Sequence, residues 1–133
     1  MKYKGRFLLI QGTIFPFDTL ITTACLDDVI KYIEENKKYK LSDKERDNLE
    51  MSGNGRTVML IGGQTIIRIK TQRTTIGIDL VDLAHEIEHA VYFIMDRIGV
   101  VHNDGSDEVF AYYQGYLMRK ALEFFDKPKK KKK

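Results

Sequence analysis

Two histidines one helical turn apart are the residues of this sequence best suited to chemistry. At about 100° per residue, His85 and His89 project from the same side of a helix, so one cation can bind both imidazoles. The apolar residues of the same segment fall on the opposite side, so the helix buries one face and offers the histidines on the other. Imidazole nitrogens at this spacing predict a metal site, with zinc as the metal. The apolar residues are Leu80, Leu83, Ile87, Ala90, Val91 and Ile94.

Two imidazoles do not complete a catalytic zinc site, which takes three protein ligands and leaves a fourth position to water. Glu108 is the predicted third ligand, because eighteen residues separate it from His89 and leave room for the rest of a helix, a turn and a return. His102, Asp104 and Asp107 are alternatives in the same stretch of chain.

The first half of the sequence predicts a sheet with helical insertions. β-Branched and aromatic residues at 3–15 suit a first strand or two before the break at Pro16. Helical spacing of apolar residues predicts a short helix over 27–35, and Ser42 with Glu45 forms a capping-box pattern for a second one that runs through Leu49. Residues 57–61 and 65–69, joined by Gly62-Gly63-Gln64, predict a hairpin.

The second half predicts two long helices. Asp79 is a suitable N-cap for the histidine helix, which should continue to about Ile98 and stop at Gly99. Ser106 is the predicted cap of a final helix, and the whole order of elements indicates an α+β domain. The predicted apolar positions of that last helix are Phe110, Tyr113, Leu117, Ala121 and Phe124.

The His85-Glu86-Ile87-Glu88-His89 run, followed after eighteen residues by Glu108 and Val109-Phe110-Ala111-Tyr112, resembles the gluzincin class of HExxH zinc metallopeptidases. Residues 107–117 are also similar to small phage-encoded HExxH proteins. The resemblance implies a small zincin-like domain, with a β-sheet and short helices before an HExxH helix and a C-terminal helix. It also implies zinc at His85, His89 and Glu108, and hydrolysis of peptide bonds by a zinc-activated water.

The resemblance further implies roles for residues around the metal. Glu86 and Glu88 lie at about 100° and 300° from His85, so helical phase does not separate them, and the family pattern selects Glu86 as general base. The chain departs from the family at Tyr112, where many gluzincins place an aspartate. Tyr112, Tyr113 and Tyr116 are the candidate donors to the oxyanion. In the resembled class an extended substrate lies along an edge strand, for which 65–70 is the candidate.

Composition bounds the remaining possibilities. With 133 residues, 43% of them hydrophobic, residues 1–126 are expected to form one domain. The single cysteine, Cys25, excludes an internal disulfide, and no apolar run is long enough to cross a bilayer, so a cytoplasmic protein without membrane contact is expected. The sequence does not set the number of subunits.

The lysine-rich tail at 127–133 has a charge of its own. It carries six lysines, so a net charge of +3 leaves −3 on the rest of the chain. A like-charge block of this kind is typical of a disordered tail with weak, nonspecific nucleic-acid contact. It is also the one feature that suggests a DNA-associated protease of the SprT-like kind.

A second hypothesis makes the protein a non-catalytic zinc-containing binding or adaptor protein, possibly phage-derived. Its zinc would be structural, and His102 or Asp104 would then fill the fourth position that a catalytic site leaves open. The leading prediction is a zinc metalloendopeptidase that acts on a peptide or protein substrate.

Overall fold

The computed structural model describes residues 5–36 and 40–126, and the lysine-rich tail lies outside them. Four strands and four helices make up this part of the chain, which confirms the α+β class. In chain order they are β1 (Phe7–Ile10), β2 (Thr19–Thr22), α1 (Leu26–Asn36), α2 (Asp43–Asn48), β3 (Gly55–Met59), β4 (Thr65–Ile69), α3 (Leu80–Arg97) and α4 (Asp107–Phe125).

The strands form one mixed sheet in the order β1-β2-β4-β3. β1 and β2 are antiparallel, β3 and β4 are antiparallel, and the central β2 and β4 run parallel. The prediction that residues 65–70 form the edge was therefore wrong. β4 has β3 on one side and β2 on the other, so β4 lies inside the sheet. The edge strands are β3 and β1.

Two of the predicted strand boundaries also need correction. Of the predicted stretch 3–15, the structure describes residues 5–15, which contain β1 alone, and the second strand, β2, follows Pro16 instead of preceding it. The predicted hairpin is confirmed, but β3 begins at Gly55 and ends at Met59. In the turn between β3 and β4, the Gly63 amide donates to the Leu60 carbonyl at 2.8 Å. Gly63 has a φ of +95°, a conformation that glycine adopts more readily than other residues.

Helices cover both faces of the sheet. On β4, Ile66 faces α1, whereas Ile67 and Ile69 face α3 and α4, as the two-residue period of a strand requires. α1 and the segment around α2 close the first face, and α3 packs across β3, β4 and α4 on the second. The capping box at Ser42 and Glu45 that begins α2 is confirmed.

The predicted limits of α3 are confirmed. The Asp79 carboxylate accepts hydrogen bonds from the Val81 and Asp82 amides, and the chain leaves the helix at Gly99 with a φ of +83°. The apolar stripe is buried except for Leu80, which is 49% exposed because it lies in the first turn, beyond the sheet.

α4 begins and ends differently from the prediction in two details. Ser106 precedes the helix, but its side chain makes no cap hydrogen bond, because the hydroxyl contacts the Val101 carbonyl and the Asn103 amide instead. Phe125, not Phe124, is the buried aromatic at the far end. Phe124 is partly exposed and lies under the Arg6 guanidinium, which donates to its carbonyl at 2.6 Å.

Neither long helix, nor any other helix within residues 5–36 and 40–126, has an apolar stretch that would carry it through a bilayer.

The cap at Asp79 gives a test of how α3 is fixed. We expect Asp79→Ala to lower the free energy of unfolding by about 1 kcal/mol, because two amides at the start of α3 lose their acceptor. Chemical denaturation measures the change, and Asp79→Asn is the control, since asparagine keeps an acceptor at the same place. Equal stability of the alanine and wild-type proteins would contradict this account of the helix start.

Candidate metal centre

His85 and His89 face each other on the exposed side of α3, as the helical spacing predicted. Their Nε2 atoms are 3.1 Å apart, and the ring planes meet at 78°. Both rings therefore bring Nε2 to the same place above the helix. Phe93, one turn further on, lies nearly parallel to the His89 ring, with the ring centroids 6.2 Å apart.

The separation of the two nitrogens suits chelation of one zinc ion. Zinc–nitrogen bonds of about 2.0–2.1 Å combined with a 3.1 Å separation give an angle of about 95–100° at the metal, near the tetrahedral value. The separation of the two nitrogens is thus compatible with zinc. The same distance also suits a hydrogen bond between two neutral rings, so metal content is the property that separates the two arrangements.

Glu86 is buried between α3 and the edge strand β3. It is 8% exposed, and its Oε1 lies 2.8 Å from the hydroxyl oxygen of Thr57 in β3. That hydroxyl is also 3.0 Å from the carbonyl oxygen of Glu86 itself. Burial of a carboxylate is costly unless it is hydrogen-bonded, so Thr57 satisfies a group that the fold would otherwise not tolerate there.

Gly55 makes room for the same carboxyl group. A Cβ on Gly55 would lie 2.7 Å from Glu86 Cγ and 2.8 Å from Glu86 Oε2, closer than such atoms approach one another. The carboxyl group therefore occupies the space that a side chain at position 55 would take. Oε2 lies over the bare backbone of the edge strand, while Oε1 is held by Thr57.

The structure separates the two glutamates that helical phase left equivalent. Glu88 is exposed on α3, whereas Glu86 lies on the boundary between the buried face and the histidine face. Of the two glutamates, Glu86 is therefore the one that is buried and hydrogen-bonded to Thr57.

The predicted third ligand is not gathered with the histidine pair. Within residues 5–36 and 40–126, no three His, Cys, Asp or Glu side chains are grouped so as to hold a metal ion. Glu108 is exposed in the first turn of α4, and at 100° per residue it falls about 160° from the centre of the buried face formed by Tyr113, Leu117, Ala121 and Phe125.

The alternative ligands lie in the loop before α4. His102 Nε2 is 2.7 Å from Asp107 Oδ1, and the His102 ring packs on Phe110 at 4.5 Å. Asp104 is exposed in the turn between them. His102 thus contacts residues of its own loop and of α4. The described geometry does not place it as a fourth ligand at the histidine pair.

Tyr112 lies on the exposed side of α4, with 65% of its surface accessible. No hydrogen bond or ring contact in the described part of the chain joins it to Glu86 or to the histidines. It is one of several large apolar or aromatic side chains exposed near the loop between α3 and α4, together with Val101 and Val109.

Sequence reasoning missed Gly55 and Thr57. A glycine within a strand often marks a close approach of another group to the backbone, but the predicted strand began at residue 57, so Gly55 was not recognised as a strand glycine. Thr57 offered no comparable signal, because a β-branched residue in a strand is expected for its shape alone.

No family model, curated protein or solved structure matches this chain.

Zinc content is the direct test of the histidine pair. We expect the full chain to retain one zinc ion after equilibration and desalting. His85→Ala and His89→Ala should each weaken binding by at least about a hundredfold, since loss of a supporting residue alone often costs 10- to 100-fold. Elemental analysis and competition with a chelator measure both.

His102→Ala is the matched control, because His102 pairs with Asp107 instead. Glu108→Ala reports on the third ligand: weaker zinc binding supports it, and unchanged binding removes it from the set. Zinc-free wild-type protein would mean that the two rings simply hydrogen-bond to each other.

Proposed function

We propose that this protein is a zinc-dependent hydrolase of the metallopeptidase type, in which Glu86 is the general base. The observation that carries the proposal is the position of Glu86. Its carboxyl group is held at the boundary between the buried face of α3 and the exposed face on which the Nε2 atoms of His85 and His89 meet. A carboxyl group held at the edge of the helix face that carries two histidines is suited to hydrolysis at a metal bound by them.

The metal belongs at His85 and His89, and Glu108 is the proposed third ligand. When bound, zinc supplies a Lewis acid that polarises a carbonyl group and acidifies water. For Glu108 to join the pair, the start of α4 has to approach α3, and the loop 98–106 is the segment whose path sets that distance.

Glu86 provides the proton transfer in this proposal. Oε1 is engaged by the Thr57 hydroxyl, so Oε2 is the oxygen left to take the proton from the attacking water. The same oxygen then returns a proton to the leaving amine, because peptide hydrolysis needs a base in its first step and an acid in its last.

The peptide or protein substrate is proposed to lie along β3. β3 is an edge strand that packs against α3, and no strand in the described part of the chain pairs with its outer side. Gly55, which faces Glu86, is in this strand, so a peptide paired with β3 would pass beside the general base. β3 replaces residues 65–70, which the sheet order excludes as an edge.

The cytoplasm is the proposed location. Cys25 is exposed and free, which suits a reducing compartment. The lysine tail at 127–133 is proposed to make at most weak, nonspecific contacts with nucleic acid.

Replacement of the general base tests the proposal. We expect Glu86→Gln to keep one zinc ion per chain and to lose at least about a hundredfold in kcat on a peptide library, because glutamine cannot accept the proton. Glu88→Gln is the matched control: it lies two residues away on the same helix, is exposed, and should cleave like the wild type.

Three other results would each contradict the proposal in a different way. Cleavage that survives in Glu86→Gln would assign the base elsewhere or reveal a contaminating peptidase. Zinc binding without any cleavage by the wild type would favour the non-catalytic adaptor. Cleavage that persists after zinc is removed would separate the activity from the histidine pair.

A further inference from the structure

Thr57 makes two contacts to one residue. Its hydroxyl oxygen lies 2.8 Å from Oε1 of Glu86 and 3.0 Å from the carbonyl oxygen of Glu86, so its single hydrogen is shared between these two acceptors, with the shorter contact to Oε1. Thr57 and Glu86 are each 8% exposed, and little water competes for these contacts. The hydroxyl thereby fixes where the carboxyl group lies relative to its own helix.

Gly55 limits the carboxyl group from a second side. Residues 55 and 57 are two positions apart on β3, so they present themselves to the same face of the sheet, the face that α3 covers. The space over Gly55 holds Glu86 Cγ, Cδ and Oε2, at 2.7–3.0 Å from where a Cβ would be. Thr57 thus contacts Oε1, and a side chain at position 55 would collide with the carboxyl group from the other side.

We propose that Thr57 is a positioning residue for the general base, and that Gly55 is required at its place because the base occupies the space above it. This inference rests on the proposed hydrolase function and adds two residues of β3 to the site. Neither residue touches the zinc ligands in this arrangement, since His85 and His89 lie on the exposed side of α3.

The reason such positioning matters is geometric. A general base must lie within hydrogen-bond distance of the proton that it takes, and a displacement of about 1 Å can cost about a hundredfold in rate. A glutamate has three rotatable side-chain bonds. If Oε1 loses its donor in a buried setting, the carboxyl group gains by turning toward solvent, away from the edge strand.

The test compares two substitutions at Thr57 in the full-length chain loaded with zinc. Thr57→Val keeps the shape and removes the hydroxyl, and we expect kcat to fall about 10- to 100-fold on a cleaved peptide, with KM within about twofold of the wild-type value. Thr57→Ser keeps the hydroxyl and should restore kcat to within a few-fold. Zinc content should equal that of the wild type in both.

Thr65→Val is the matched control for loss of a buried threonine hydroxyl. Thr65 lies on the adjacent strand and is fully buried, and its hydroxyl has no hydrogen-bond partner among the described residues. Its replacement should leave kcat unchanged. Because Thr65→Val removes no hydrogen bond within the described part of the chain, it reports only on the loss of a buried hydroxyl group. A fall in kcat in Thr57→Val that came from a weaker sheet would be accompanied by a lower melting temperature.

Gly55→Ala tests the second half of the proposal. The added methyl group displaces the Glu86 side chain, so kcat should fall by at least about tenfold while zinc is retained. Gly53→Ala, in the turn before β3, is its control, because a Cβ there meets nothing within 4 Å.

The outcomes separate this inference from the proposed function. Wild-type kcat in Thr57→Val, in a protein whose cleavage depends on Glu86, would overturn the inference and leave the function standing. Failure of Thr57→Ser to restore kcat would also overturn it. So would a loss of kcat in Thr65→Val equal to that in Thr57→Val, or in Gly53→Ala equal to that in Gly55→Ala. A wild type without Glu86-dependent cleavage would overturn the function and the inference with it.

Discussion

The packing of α3 against β3 and β4 is the interaction on which the rest of the structure depends. One face of this helix is apolar and buried, and its central residues Leu83, Ile87 and Ile94 are fully enclosed. Burial of a side chain of this size contributes about 1.5–3 kcal/mol, so the rotation of the helix about its axis is firmly set. That rotation directs His85 and His89 to the outside, and it puts Glu86 at the seam with the edge strand.

The seam explains why a carboxyl group and a hydroxyl group meet in an otherwise apolar layer. A residue at the boundary of a helix face either reaches solvent or needs a partner, and Glu86 has its partner in Thr57. The histidines need no such support, because they lie in water. The candidate site thus joins two environments: an exposed pair of rings with freedom to take a cation, and an enclosed carboxyl group with almost no freedom.

Features with local causes were predictable from the sequence. The Asp79 cap, the stop at Gly99, the capping box at Ser42 and the histidine pair each depend on residues within a few positions of one another. β2 was not predictable in this way, because a strand of four residues gives a weak sequence signal. It is stabilised by pairing with β4, in which Thr65 lies opposite Thr19, 46 positions earlier in the chain. The place of Glu108 is set by the path of the loop 98–106, and no spacing rule gives that path. Thr57 and Glu86 are likewise joined only by the tertiary fold.

The parallel pairing of β2 with β4 has a consequence for how the chain folds. The contacts of the candidate base with Gly55 and Thr57 lie within the consecutive elements β3, β4 and α3. The pairing of β2 with β4 at the centre of the sheet instead joins strands that are separated by more than forty residues. Short-range contacts form with less loss of chain entropy than long-range ones. We therefore expect the enclosure around Glu86 to assemble early, as part of a local β-hairpin and helix, and β1 and β2 to join it afterwards.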